Sequence, residues 1–376
     1  MKYKLDNPFA EYGYFGPEYF CDREQETEEL MSALQNGSNV TLIAPRRIGK
    51  TGLIHHAFAR LKEQQPQVQC FYVDIFPTKN FNQMVQLMAN SIVGKLDNPS
   101  QSVRRKIDTF VAGLRPTMSF DRVDGTPTMS FNIVPQQAKE TLAQIFEYIK
   151  LSEKPCYLAI DEFQQVSAYS EYGTDAYIRS LIQFIPNLRL IFSGSQQHLL
   201  SDMFMSPQHP FFNSSQIMRL GEIPRDVYLD FANRFFGRQN RMMPDCVFEW
   251  LYNLVNGQTW YIQKTLNRLY RMKDRAIDRQ LVAEAIDMIL AEQEISYQNS
   301  YNLLTENQAM LLTAIAKEGS LKTPTALDFV MRYGLPAPSS IKTALKSLTD
   351  KEMLFRDSDG SYIVYDRFFG IWLQRQ

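Results

Sequence analysis

Lys50 and Thr51 close the run Thr41-Leu42-Ile43-Ala44-Pro45-Arg46-Arg47-Ile48-Gly49-Lys50-Thr51. Glycine, lysine and a hydroxyl residue in that order suit a polyphosphate. Backbone N–H groups of a tight loop surround the anion, the ammonium lies near the β- and γ-phosphates, and the hydroxyl ligates Mg²⁺. The full pattern, G-x-x-x-x-G-K-[ST], wants glycine at position 44, where this chain has Ala44. The candidate phosphate-binding residues are Ala44, Pro45, Arg46, Arg47, Ile48, Gly49, Lys50, Thr51 and Gly52. A lone Gly-Lys-Thr is common by chance, so the reading needs a partner.

The partner is Asp161-Glu162, at the end of the apolar run Tyr157-Leu158-Ala159-Ile160. A strand-end carboxylate beside a phosphate loop can hold Mg²⁺, which makes Thr51 and Asp161 the candidate metal ligands. A second carboxylate, Glu162, can position or deprotonate an attacking water. A strand that merely ends in two solvated acids is the alternative, and the upstream loop weighs against it. A further run, Leu188–Phe192, leads into Ser193-Gly194-Ser195. Ser193 and Ser195 at that strand tip are candidates to sense the γ-phosphate. The candidate catalytic set is thus Glu162, Lys50, Ser193 and Ser195.

These residues need elements to position them. Asn39–Ile43 is a short β-branched and apolar run suited to a buried parallel strand. After the loop, Leu53, Ile54, Ala57, Phe58 and Leu61 fall on one helical face, and Pro66 ends the segment. Val68–Ile75 supplies another strand. Strands alternating with helical segments at this spacing predict a parallel α/β sheet.

Around the motifs the chain resembles the archaeal-type ATPase family, a group of AAA+/STAND-related P-loop ATPases. The likeness rests on Asn7-Pro8-Phe9, on Phe20 to Glu26 at the start of the first helix, and on Ala44 to Thr51. It also rests on Asp161 to Gln164, Ser193-Gly194-Ser195 and Tyr365 to Leu373. The resemblance implies a P-loop NTPase parallel-sheet core at residues 1–221, a helical lid at 222–300 and a winged helix at 301–376. It implies ATP and Mg²⁺ as ligands. Three positions depart from the family pattern. Ala44 replaces the first loop glycine. Residues 210–216 lack the arginine that can act as a finger, none appearing until Arg219. Gly257-Gln258-Thr259 stands where the family has G-x-P near adenine.

Within the core, Pro116–Phe120 recurs as Pro127–Phe131 with Asp124-Gly125 between, a hairpin signal near 115–134, preceded by a helix expected around 103–114. It is either a solvated decoration or a contact element bearing Met118, Phe120, Met129 and Phe131. Helical patterning runs from Pro224 to about residue 295, with Arg268 a candidate to reach nucleotide or to lie on a solvated basic face. In the last segment Thr305 and Gln308 have capping-box spacing, a second helix is expected from Thr323, and Pro338 opens a third. That third helix would bury Ile341, Ala344, Leu345 and Leu348 and present Ser340, Lys342, Thr343 and Lys346 to duplex DNA or a protein partner.

Composition restrains the partner. Of the 376 residues, 40 are basic and 41 acidic, so no global charge draws the chain to nucleic acid or membrane. Residues 301–376 hold nine basic and eight acidic side chains, a weak footprint for a DNA reader. The four cysteines and four histidines show no metal-ligand spacing. The start, MKYKLDNPF, lacks the apolar stretch of a signal peptide, and no run nears the roughly 18 apolar residues of a span. A cytoplasmic protein without a membrane partner is expected, with an oligomer left open. The functional expectation is a Mg²⁺-dependent ATPase working as a nucleotide-controlled switch. An ATP-modulated DNA-binding regulator and a nucleotide-stabilised non-catalytic scaffold are the alternatives.

Overall fold

The computed structural model describes residues 5–93, 95, 133–171, 173–273, 275–357 and 359–376, and the backbone of 116–120 and 127–131. Its residues fall into two compact units. One is Tyr12–Ile223; the other joins the first eleven residues to Pro224–Gln376.

The first unit is a three-layer α/β structure. Its strands are β1 (Val40–Ile43), β2 (Gln69–Asp74), the separate pair β3 (Pro116–Phe120) and β4 (Pro127–Phe131), then β5 (Cys156–Asp161), β6 (Leu188–Gly194) and β7 (Gln216–Arg219). The helices between are α1 (Glu24–Gln35), α2 (Lys50–Gln64), α3 (Phe81–Ile92), α4 (Ala138–Leu151), α5 (Thr174–Ile182) and α6 (Gln197–Met205). The main sheet has the order β2-β5-β6-β1-β7 with every neighbour parallel. Its three central strands are almost wholly buried, whereas the edges β2 and β7 alternate with exposed positions. That is why β1 and β5 read as continuous apolar runs.

Alternation along the central strands splits the core in two. Leu158, Ile160, Leu190 and Phe192 join one cluster with residues of α3, α4 and α6. Tyr157, Ala159, Ile191 and Leu42 join the other with Leu30 and Leu34 of α1 and Leu53, Ile54, Ala57, Phe58 and Leu61 of α2. The helical face expected for α2 is therefore the buried one.

The β3–β4 pair is antiparallel and centred on Met118 opposite Met129, so the repeated pentapeptide pairs with itself. The Asp124-Gly125 turn, the helix expected at 103–114 and the side chains of the four apolar residues lie outside the described residues.

The second unit contains α7 (Arg225–Phe236), α8 (Asp245–Leu254), α9 (Thr259–Arg271) and α10 (Arg279–Asn302). It continues with α11 (Glu306–Glu318), α12 (Leu327–Tyr333), α13 (Pro338–Asp350), β8 (Leu354–Arg356), β9 (Tyr362–Val364) and α14 (Arg367–Gln374). Phe9 is fully buried here, ringed by Phe231, Phe235, Phe236 and Tyr270 at centroid distances of 6.2, 5.7, 5.2 and 5.8 Å. Asn7 and Asn267 fasten the same segment, each side chain donating to a backbone carbonyl: Asn7 to Asn267, and Asn267 to Phe9.

In the winged-helix part, Gln308 Oε1 accepts from the Thr305 N–H at 3.3 Å, as the spacing predicted. β8 and β9 form the wing, with Leu321 bridging to Tyr362. The second helix starts at Leu327 rather than Thr323. Residues 323–326 are instead closed as a turn by the Ala326 N–H on the Thr323 carbonyl, which takes the chain off the helical path before Leu327. Ser358 of the wing turn lies outside the described residues. No helix among the described residues is long and apolar enough to cross a membrane.

Candidate active site

The loop between β1 and α2 answers the question raised by Ala44. Its left-handed positions are Arg47, at φ +66°, and Gly49, at φ +101°; Ala44 is not among the residues of positive φ. Ala44 is buried, and its methyl packs in the α1–α2 core cluster. Alanine therefore fits there without backbone strain.

Gly49 is the N-cap of α2, and the first turn of that helix carries neither a capping side chain nor an acidic residue. Its N–H groups are thus unmatched by the devices that usually satisfy a helix N-terminus. Lys50 is buried, with Nζ donating to the carbonyls of Ala44 and Pro45 at 3.2 Å each. Burial pulls its pKa down, while Glu162 and Asp161 oppose the shift. A buried ammonium beside uncapped N–H groups is a donor set for an anion.

Arg23 supports the loop from behind. It is buried in a left-handed conformation, paired to Glu26 at 2.7 Å, and donates to the carbonyls of Ile48 (3.3 Å) and Gly221 (2.6 Å). Gly52, in the first turn of α2, lies under Phe20, whose ring carbon would sit 3.1 Å from an added Cβ. Phe20 stacks on His56 at 4.5 Å, and His56 Nδ1 shares a hydrogen bond with the Tyr14 hydroxyl at 2.8 Å. Burial pushes that phenol up to about 12 and holds His56 below its usual range.

Across the sheet, β6 lies between β1 and β5, so the tips of three parallel strands converge. Asp161 is the most densely bonded group. Its Oδ2 accepts from Thr51 Oγ1 at 3.2 Å and from the Tyr72 hydroxyl at 2.5 Å; its Oδ1 accepts from Ser193 Oγ at 2.7 Å and the Glu162 N–H at 3.0 Å. Thr51 and Asp161 are thus two hard oxygen donors in contact, a set that fits Mg²⁺ completing its shell from phosphate and water. Among the described residues no cluster of three or more His, Cys, Asp or Glu side chains forms a metal cage.

Glu162 stands in the left-handed region at φ +55°. Its Oε2 accepts from Gln164 Nε2 (2.5 Å), the Ser195 N–H (3.2 Å) and Ser195 Oγ (2.8 Å). Gln164 is itself buried, and its amide lies so close over Gly194 that an added Cβ would meet Oε1 at 2.0 Å. A side chain at 194 would therefore have to push the Gln164 amide away from Glu162. Behind this corner Phe163, Phe192, Phe204 and Phe211 pack at 4.6 to 5.9 Å, giving the strand ends a rigid floor.

The structure brings together Lys50, Thr51, Asp161, Glu162, Ser193 and Ser195. Ser193, fully buried, spends its hydroxyl on Asp161, whereas Ser195 touches Glu162. In the other unit, Arg268 is paired with Glu292. There Lys342, Thr343 and Lys346 are exposed along α13 and Ser340 is half-buried, while Ile341, Ala344, Leu345 and Leu348 are buried. Sequence reasoning missed Tyr72 and Gln164. Gln164 carries a faint signal, two residues past the paired acids; Tyr72 has none, since its role depends on how β2 lies beside β5.

Comparison with known proteins agrees with this arrangement. A family model described as "ATPase domain predominantly from Archaea" matches residues 20–264. The chain belongs to that family. A second model, described as "Probable winged helix domain", matches residues 295–375 of this archaeal-type ATPase. No curated protein sequence matches it. Among solved structures it is similar to the Walker-type ATPase PABY2304 of Pyrococcus abyssi, with a TM-score of 0.64 and 16% identity over 98% of this chain and 99% of that one. It is similar to the ORC2 protein of Aeropyrum pernix, solved in ADPNP–ADP complexes, at 0.62 and 15% over 99% and 96%. The ORC1 protein of the same organism, solved in complex with DNA, follows at 0.54 and 13% over 98% and 96%. At these identities the likeness is one of fold: a P-loop NTPase sheet with a C-terminal winged helix.

Proposed function

We propose that the chain binds and hydrolyses ATP with Mg²⁺ and that the bound nucleotide sets the state of a switch read out through the winged helix. The observation that carries this reading is the meeting of Thr51, Asp161 and Glu162 beside a buried Lys50 at an uncapped helix N-terminus. Residues 44–52 would cradle the phosphates, and Lys50 would neutralise charge between the β- and γ-groups. Thr51 and Asp161 would hold Mg²⁺, which supplies positive charge to the same oxygens. Tyr72 and Ser193 fix the Asp161 carboxylate for that task. Glu162, oriented by Gln164 and Ser195, would take a proton from the water whose oxygen attacks the γ-phosphorus as the bond to ADP breaks. Ser195, whose hydroxyl reaches Glu162, would register the γ-phosphate, since the Ser193 hydroxyl is taken up by Asp161.

The test is ATP binding with Mg²⁺ present, measured calorimetrically on wild type and Lys50→Ala. Wild type should bind, and Lys50→Ala should lose at least a hundredfold in affinity, as expected for a buried charged donor to phosphate, about 3 kcal/mol. No binding by the wild type would end the reading.

A second reading, a nucleotide-modulated DNA binder, is favoured by the exposed Lys342, Thr343 and Lys346 on α13. It predicts that Lys342→Ala with Lys346→Ala weakens duplex binding and lowers its salt slope by about two. Unchanged affinity and slope would leave α13 to a protein partner.

A further inference from the structure

The segment at 210–216 has no arginine, and Arg219, at the end of β7, points its guanidinium at Met205 Sδ, 3.9 Å away. The loop itself supplies another. Arg46 follows Pro45, whose carbonyl holds Lys50 Nζ, so its backbone lies one residue from the phosphate-facing ammonium. Its Nε donates to Ser195 Oγ at 3.2 Å, and the same hydroxyl donates to Glu162 Oε2 at 2.8 Å. Its guanidinium carbon stands 5.3 Å from the centroid of Phe76. Phe76, just beyond β2, is 55% exposed, although a large ring there gains little from burial. Its N–H bonds to Asp74 Oδ1 at 2.9 Å, which holds the residue at the strand tip.

The arrangement makes a continuous line: ring, guanidinium, serine hydroxyl, glutamate. A surface arginine would extend into water; this one is laid across the strand tips by an aromatic face and a hydroxyl that also serves the candidate base. We propose that Arg46 is this site's own arginine finger, supplied in cis from the phosphate loop, stabilising charge on the transferring phosphoryl group while Ser195 couples it to Glu162. The proposal rests on the ATPase reading above. Phe76 acts as a positioning residue, holding the guanidinium plane without touching the substrate. The bonds made and broken remain those of ATP hydrolysis; Arg46 contributes charge and hydrogen bonds and exchanges no proton.

Cis or trans arginines of this kind contribute about 10³- to 10⁵-fold to turnover. The experiment compares wild type, Arg46→Ala, Arg46→Lys, Phe76→Ala and Glu162→Gln in the full chain. It measures kcat, ATP and ADP affinity, and affinity for ADP with aluminium fluoride, which mimics the transferring group. Arg46→Ala should lower kcat by about a thousandfold and abolish the preference for ADP–aluminium fluoride over ADP. ADP affinity should stay within about fivefold, because the interaction is made only in the transition state. Arg46→Lys should recover part of kcat, a point charge lacking the planar fork. Phe76→Ala should lower kcat by about two- to fivefold, the worth of an exposed cation–π contact that orients the group.

Equal losses of ADP and ADP–aluminium fluoride affinity in Arg46→Ala would make it an ordinary binding residue and overturn the proposal. Full turnover in Arg46→Ala beside an inactive Glu162→Gln would overturn this proposal alone. Failure of wild type to bind nucleotide would overturn both this and the ATPase reading. A wild type that binds without measurable turnover still decides the matter through the aluminium fluoride preference. Should Arg46→Ala fail to fold, the Arg46→Lys and Phe76→Ala pair decides it by the same two affinities.

Discussion

Glu162→Gln is expected to reduce ATP turnover by about 100- to 10,000-fold, the range attributable to a positioned general base, with ATP affinity nearly unchanged. The reason lies in where the three donors point. Gln164 Nε2, the Ser195 N–H and Ser195 Oγ all address Oε2. A glutamine has one acceptor oxygen, and these donors would claim it. Its NH₂ would then occupy the position of Oε1 and meet a water with a donor, where the mechanism needs an acceptor. Size and packing hardly change, so binding should survive. Single-turnover kinetics beside equilibrium ATP binding separate the two effects; a kcat within threefold of wild type would place the base elsewhere.

Phe9→Ala should cost the second unit about 3–5 kcal/mol, the usual range for emptying a buried phenylalanine site. Phe9 is wholly enclosed, with four aromatic rings against it that cannot all close in on a methyl group. The neighbouring Asn7 and Asn267 bonds limit how far the segment can settle. Because the chain forms two compact units, unfolding need not be a single transition. The transition reporting the helices around Phe9 should fall, and that reporting Tyr12–Ile223 should not. Deleting residues 1–10 should reproduce the loss. Unaltered melting in both variants would mean that the segment is an accessory to a unit already stable without it.

Much of the site was legible because local rules act there. β1 and β5 are buried on both faces, so they appear as uninterrupted apolar runs, and each ends where its chemistry begins. Gly49 marks a backbone angle that few residues accept. The first helix of the winged part could be read from Thr305 and Gln308 for the same reason. What escaped is set by neighbours in space. Tyr72 reaches Asp161 only because β2 lies beside β5 in register, Asp74 opposite Asp161. Gln164 gains its role from the bare backbone of Gly194 on another strand. The placement of β6 between β1 and β5, and of Phe9 among α7 and α9, likewise depends on pairings that no local pattern encodes.

The division of the chain has a consequence for biosynthesis. The segment around Phe9 is made well before its partner Asn267, which follows 260 residues after Asn7. On a ribosome adding about 5–20 residues per second, the early segment waits roughly ten to fifty seconds for its binding surface. Residues 12–223 can complete their sheet within that interval. The newborn chain therefore carries Phe9 without its aromatic partners while the Tyr12–Ile223 unit folds. Chaperone dependence should accordingly be greatest before residue 267 emerges, and a slowed ribosome should lengthen the exposure of Phe9.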